Sequence, residues 1–247
     1  MIYCVQDIVL RISLITVNMT VSPQSVPLPP IETPTLQDRA YEAIKTRILS
    51  LAFAPGRQLA ETELASQLGI SKTPVREALR RLEREDLVRV ISYKGVFVTE
   101  VTARDVLELS EIRGVLVGLA AEQVTKTVTD SDIEQARQLL QQGDLALESG
   151  DVERWLQVNN EFHSWLLDRA DNLRLRRLLA NLDDQFHRIQ RLAATVPGGI
   201  VASNRGHYGI LDAMAARDAQ AAARLARQHI LSVGEQSLRK VESIVQQ

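Results

Sequence analysis

From residue 36 onward, apolar side chains recur at steps of three and four, and they alternate at steps of two in one place only, residues 87–98. A helix repeats every 3.6 residues and a strand every two. The pattern therefore commits the chain to a mainly α fold carrying a single β-hairpin. Composition agrees: aromatic residues are only 4%, while Leu, Ala, Arg, Glu and Gln recur throughout, a mixture that favours helix over sheet. With 247 residues, 45% of them hydrophobic and 24% charged, the chain can bury a sizeable core in one large domain or two ordinary ones. One cysteine, Cys4, excludes an internal disulfide framework and a cysteine zinc cluster.

Residues 1–18 are apolar, yet Asp7 and Arg11 interrupt them and no basic segment precedes them, so they make a poor signal peptide. Translation from Met19 is the plainer reading. Residues 19–34 then form a tail with Pro23, Pro27, Pro29, Pro30 and Pro34, a composition expected to be disordered. No stretch reaches the ~18–20 uninterrupted apolar residues of a membrane span, and a cytoplasmic protein is expected. Three segments are predicted: the tail 1–34, a compact unit 35–100 and a helical unit 101–247.

The compact unit opens with Thr35 and Asp38, spaced as a capping box, ahead of Leu36, Ala40, Ile44, Ile48 and Leu51 at helical spacing. A second helix is predicted over about Glu61–Leu68, ended by Gly69. A third is predicted to start with Thr73 as N-cap and Pro74 at its first position, burying Val75, Ala78, Leu79 and Leu82. Two short alternating runs around Ser92–Gly95 then form a wing with Lys94 at its tip. Three helices plus this hairpin make a winged helix-turn-helix.

The net charge of -2 argues against nucleic acid until it is divided. Residues 35–100 carry +2, residues 101–247 carry -3 and the first 34 carry -1. Within the basic segment Lys72, Arg76, Arg80 and Arg84 form a row at steps of four, one flank of the third helix. A solvated helix paired by Glu77, Glu83 and Glu85 is the ordinary alternative. The helix-turn-helix context favours DNA, because the second helix of that motif presents its N-terminal residues to the major groove. Arg and Lys read guanine there, and hydroxyls hold phosphates.

Residues 36–98 resemble the DNA-binding domain of the GntR family of bacterial transcription regulators. The resemblance rests on APGRQLAETELASQLGISKTPVREALRRLEREDLV and the following YKGVFV. It implies operator contacts from Lys72, Thr73 and Arg76 on the recognition helix and from Gly95 on the wing; the basic row and the wing tip add Arg80 and Lys94 as candidates. Ala60 stands where the family has a serine cap. Thr62 stands where it has an arginine, and its hydroxyl still suits a phosphate.

The rest of the chain predicts an antiparallel all-α bundle of about six helices, the first capped by Thr102 and Asp105 and running to about Lys126, the others near 131–148, 151–169, 172–194, 200–217 and 218–246. All four histidines lie here. His163, His207 and His229 share faces with apolar residues, whereas His187 aligns with Asp183 and Arg191 on a face expected to be solvated. Three inward histidines on three helices suit a metal site better than three independent core imidazoles. Asn159 precedes His163 by four residues and projects beside it. Arg113 falls on the face of Leu109, Leu116, Val117 and Ala120, where a charge needs a partner. That partner is an internal acid, from Glu111 or a neighbouring helix, or else an anionic ligand gripped through two parallel hydrogen bonds.

LSEIRGVLVGLAA, NNEFHSWLLDRADN and GHYGILDAMAARDAQAAARLARQHI resemble the FadR-type C-terminal effector domain (FCD), with six helices as in its VanR-type branch. The resemblance implies a divalent metal (zinc, with nickel or manganese as alternatives) on Asn159, His163, His207 and His229, and a small organic acid beside it near Arg113. Val117 stands where the family often has Glu, and neutral Asn159 where Asp is also common. Together these features predict a homodimeric transcription regulator, a repressor, on a pseudo-palindromic operator, with no enzymatic activity. A metalloenzyme is the second reading, and it lacks a general base. A non-specific DNA-binding scaffold is the third, and the acidic second half opposes it.

Overall fold

The computed structural model describes residues 34–245; residues 1–18, Met19 and the tail up to Thr33 lie outside them. The architecture is mainly α. Among the described residues there are nine helices and three short strands.

The first helix, α1 (Leu36–Leu49), starts at a reciprocal Thr35–Asp38 capping box and buries Ala40, Tyr41, Ile44 and Ile48. Strand β1 (Gln58–Leu59), α2 (Glu61–Leu68), α3 (Lys72–Arg84), β2 (Val88–Ile91) and β3 (Gly95–Val98) follow. The sheet is antiparallel in the order β1-β3-β2, with Val88 opposite Val98 and Ile91 opposite Gly95. The wing therefore has a third strand that periodicity could not reveal, since two residues carry no repeat. What fixes β1 is its partner: Gln58 and Leu59 pair with Phe97 and Val96, and Leu59 is buried.

One boundary differs from expectation. Helix α3 begins at Lys72 with Ser71 as N-cap, and no side chain caps it. Thr73 and Pro74 are its second and third residues rather than its cap and first residue. The first four N–H groups of a helix have no partner within it, so a proline anywhere in that turn forfeits no bond. The α2 start at Ala60 is likewise without a side-chain cap, and Gly69 closes that helix in the left-handed region at φ 65.

Six helices follow among the described residues: α4 (Ala103–Thr125), α5 (Asp130–Ser149), α6 (Val152–Arg169), α7 (Leu173–Ala194), α8 (Gly199–Ala215) and α9 (Ala219–Val245). Capping boxes at Thr102–Asp105 and Thr129–Asp132 start α4 and α5, while Asp151 and Asn172 cap α6 and α7. Their apolar faces meet in one cluster that includes Val117, Leu140, Phe162, Leu166, Phe186 and Ile210. A second cluster, built from α1 to β3, includes Tyr41, Ile48, Leu79, Leu82 and Val98. Helices α4 and α9 lie against each other at Gly118, where a Cβ would meet the Ala223 carbonyl oxygen at 3.0 Å.

The bundle grips the winged-helix head through one turn of α7. Lys45 of α1 pairs with Asp184 at 2.5 Å and with Glu85 at 3.3 Å. Gln185 donates to the backbone oxygen of Glu85 at 3.4 Å, and Arg188 donates to that of Thr99. Glu85 is the C-cap of α3, so α7 touches the end of the helix expected to read DNA.

Candidate functional site

The head presents Thr62, Lys72, Thr73, Arg76, Arg80, Lys94 and Gly95 on its surface, all exposed. Helix α3 places its bases there because Val75, Ala78, Leu79 and Leu82 are buried on the opposite side. Lys72, Thr73 and Arg76 stand in its first turns, and Thr62 lies in the first turn of α2. The wing tip is a tight turn. Tyr93 adopts φ 62 and is fully exposed, and Gly95 sits at φ 108, a region that glycine enters at least cost. Gln58 of β1 donates to the Lys94 carbonyl oxygen at 2.8 Å and braces that turn.

Arg76 is not paired with its own helix. Its Nε and Nη2 donate to the two carboxylate oxygens of Glu61 at 3.0 and 2.7 Å. That fork holds the Glu61 carboxyl below its ordinary range. Arg80 pairs with Glu77 at 2.9 Å. Arg81, outside the row, lies over the Tyr41 ring at 3.6 Å and belongs to the packing of α1 against α3. Reading by helical steps could not find Glu61, because it stands on a different helix fifteen residues earlier.

In the bundle, α6, α8 and α9 bring His163, His207 and His229 together, all buried. One ring nitrogen from each lies within 4.8 Å of the others. Ring centroids are 5.2 Å apart for His163 and His207, 5.5 Å for His163 and His229, and 4.4 Å for His207 and His229. Nε2 of His163, both nitrogens of His207 and Nε2 of His229 have no hydrogen-bond partner among the described residues. Buried polar atoms are rarely left so. Metal bonds at about 2.0–2.1 Å put tetrahedral donors about 3.3 Å apart, a distance small side-chain rotations reach. The donor set therefore fits a divalent metal.

Burial is the first cause that lowers all three imidazole pKa values, that of His229 to about 4. Mutual repulsion adds to this for His163 and His207, and the charge of Arg113 adds to it for His163 and His229. Neutral imidazoles are the metal-binding form, so at neutral pH no proton has to leave. Phe162 walls the cluster, its ring 4.7 Å from that of His207. A cleft of about 280 Å³ between α8 and α9, lined by Ser203, Gly206, Gly209, Ser232 and Gln236, reaches His229.

Asn159 is buried one turn before His163 on α6, and its amide donates to Asn160 Oδ1 at 3.3 Å. Arg113 is 2% exposed and pairs with Asp183 of α7, not with Glu111. Its guanidinium lies over the Phe186 ring at 4.6 Å, and its Nε has no hydrogen-bond partner among the described residues. Asp183 is thus the acid on a neighbouring helix that the face of α4 required. His187 departs from expectation. It is half-buried in a cleft of about 250 Å³ lined by Thr46 and Ser50 of the head and by Asn160 and Gln190 of the bundle, and burial lowers its pKa.

A winged helix with exposed bases on its recognition helix, joined to a helical bundle that buries a polar site, defines a DNA-binding regulator with a sensing module. The chain belongs to the GntR family of bacterial regulatory proteins, whose pattern matches residues 36–98, and carries an FCD domain over residues 108–232. It is 30% identical over 193 residues to the HTH-type transcriptional regulator YdhC of Bacillus subtilis (strain 168), covering 78% of this chain and 84% of that protein. It is 26% identical to the HTH-type transcriptional repressor RspR of Escherichia coli (strain K12), over 90% of this chain and 95% of that one. Among solved structures it resembles E. coli McbR/YncC with a TM-score of 0.69 and 25% identity, over 86% of this chain and 100% of that chain. Families and relatives alike are transcription regulators and not enzymes, which decides between the regulator and the metalloenzyme readings.

Proposed function

We propose that this regulator is a cytoplasmic homodimeric repressor whose hold on a pseudo-palindromic operator is controlled by a small organic acid bound beside a divalent metal in the bundle. The observation that carries the reading is the buried three-histidine cluster, whose ring nitrogens include four without a partner among the described residues, and in which His163 and His229 feel the charge of buried Arg113. Neutral imidazoles take a first-row dication, zinc first and nickel or manganese as alternatives. Asn159 supplies a fourth, carbonyl donor from the turn before His163. When bound, the metal supplies a Lewis-acid site that holds a carboxylate oxygen, while Arg113 grips a carboxylate through its fork.

In the head, residues 35–100, Lys72, Thr73, Arg76 and Arg80 meet the major groove, and Lys94 and Gly95 meet the backbone at the wing. Thr62 binds a phosphate. Residues 101–247 form the sensor and join the two copies. Control follows only if the acid prefers one arrangement of the two heads.

The test uses purified full-length protein. Metal analysis should find about one dication per chain, and sedimentation should find a dimer. Operator fragments retained from genomic DNA should then be titrated against organic acids, with and without chelator. Protein that carries no metal after zinc addition, or operator affinity that no acid changes, would defeat the proposal.

A further inference from the structure

Residues 183–188 of α7 make two sets of contacts on two faces. Asp183 and Phe186, three residues apart, face inward and hold Arg113 between a carboxylate and a ring. Asp184 and Arg188, four residues apart, face outward with Gln185 and hold the head through Lys45, the Thr99 carbonyl and the Glu85 carbonyl. The two sets of contacts share one stretch of helix, so a shift of that backbone is felt on both faces.

Arg113 is almost wholly buried, whereas Asp183 keeps 29% of its side chain in solvent. The asymmetry matters. A buried guanidinium left without an anion is strongly destabilised. A half-exposed carboxylate that lets go is rehydrated at little cost. Arg113 must therefore always hold an anion, and Asp183 is the one that can be exchanged.

We infer that Asp183 is the built-in occupant of an anion subsite on Arg113, and that an incoming carboxylate takes its place and thereby loosens the turn of α7 that grips the head. The inference rests on the proposed effector reading and adds to it the residue that is displaced and the route to α3. The route ends at Glu85, which caps α3 and also accepts hydrogen bonds from Tyr41 and Lys45. Loosening α7 frees that cap and with it the orientation of the recognition helix.

The experiment uses the full chain, with acetate as the probe at constant ionic strength set by sodium chloride. Calorimetry should show Asp183→Ala and Asp183→Asn binding acetate roughly tenfold or more tightly than wild type, within the usual range of coupling. Asp183→Glu should behave as wild type. Hydrogen exchange should rise in Asp183→Asn at residues 183–190, 84–87 and 98–101.

Lys45→Met breaks only the outer face. By reciprocity it should also strengthen acetate binding, and it leaves Arg113 and Asp183 intact should the Asp183 variants fold poorly. Equal acetate affinity in wild type, Asp183→Ala and Asp183→Asn, or no binding by Asp183→Ala, would overturn the subsite. Exchange that rises only around Arg113, or unchanged acetate affinity in Lys45→Met, would overturn the coupling. The effector reading fails elsewhere: it falls if organic acids leave operator affinity unmoved while Asp183→Ala still takes acetate.

Discussion

Arg76 on α3 and Glu61 on α2 close a two-point fork, 3.0 and 2.7 Å long, across the helix-turn-helix. The base proposed to read DNA is therefore held by an acid that an operator would have to displace. The fork positions the guanidinium in the free protein, and its half-exposed setting keeps the exchange inexpensive, since solvent-exposed pairs contribute little.

Arg76→Ala should weaken operator binding by about 1–3 kcal/mol and relax base preference at one position per half-site. Glu61→Gln should do the reverse for non-specific DNA, tightening it by removing a carboxylate from the binding face, and so narrow the ratio of specific to non-specific affinity. Fluorescence anisotropy on operator and scrambled duplexes across a salt series separates the two. An unchanged footprint in Arg76→Ala would remove that residue from readout.

The histidine cluster makes a second, independent claim. His163→Ala combined with His207→Ala should abolish metal retention, as measured by elemental analysis after dialysis. In wild type, zinc at about 1,000 times its Kd should add about 4 kcal/mol to stability. The double variant should show none of that gain. Full metal occupancy in the variant would place the ion elsewhere.

Acid should loosen the metal-stripped protein earlier than a chain without this cluster. His229 is held at about 4 by burial and then by the charge of Arg113, while an unfolded histidine titrates near 6.5. Between those values the unfolded state binds the proton that the folded state refuses. The stability is fully present above about 6.5 and is lost as pH falls toward 4, by up to about 3 kcal/mol from this residue. His163 and His207 act in the same direction. Asp132, lowered to about 2 by the Thr129 cap and by Arg169, loses its contribution only below that window. Thermal melts of chelated protein at pH 7.5 and 5.0 check this; an equal or higher Tm at 5.0 would contradict it.

Gly118→Val should destabilise the bundle by about 1–3 kcal/mol, because its Cβ would already stand 3.0 Å from the Ala223 carbonyl oxygen. That neighbour is backbone and cannot swing aside. Urea unfolding should show a lower midpoint with the same slope, since the native surface is little changed.

Much of this architecture is written in local signals. Capping pairs such as Thr102–Asp105, stop signals such as Gly69 and Gly150, and faces such as that of Val75, Ala78, Leu79 and Leu82 act within a few residues of themselves. Helix ends and buried faces can therefore be read along the chain to within a residue or two. The four-step row of bases and the inward side of three histidines follow from the same periodicity. The cap of α3 is not fixed by local signals, because Pro74 suits any position of a first turn, and β1, only two residues long, carries no repeat.

Local order decides which side of a helix a residue occupies, and so the chain alone settled that Arg113, His163, His207 and His229 turn inward. It could not settle what they meet. That Arg113 takes Asp183, seventy residues away, that Arg76 takes Glu61, and that His187 lies in a cleft lined in part by the head all depend on how whole helices pack. Packing is a property of the sum of apolar faces, not of any one segment. Only the tertiary structure joins the arginine beside the histidine cluster to the helix that holds the DNA-binding head.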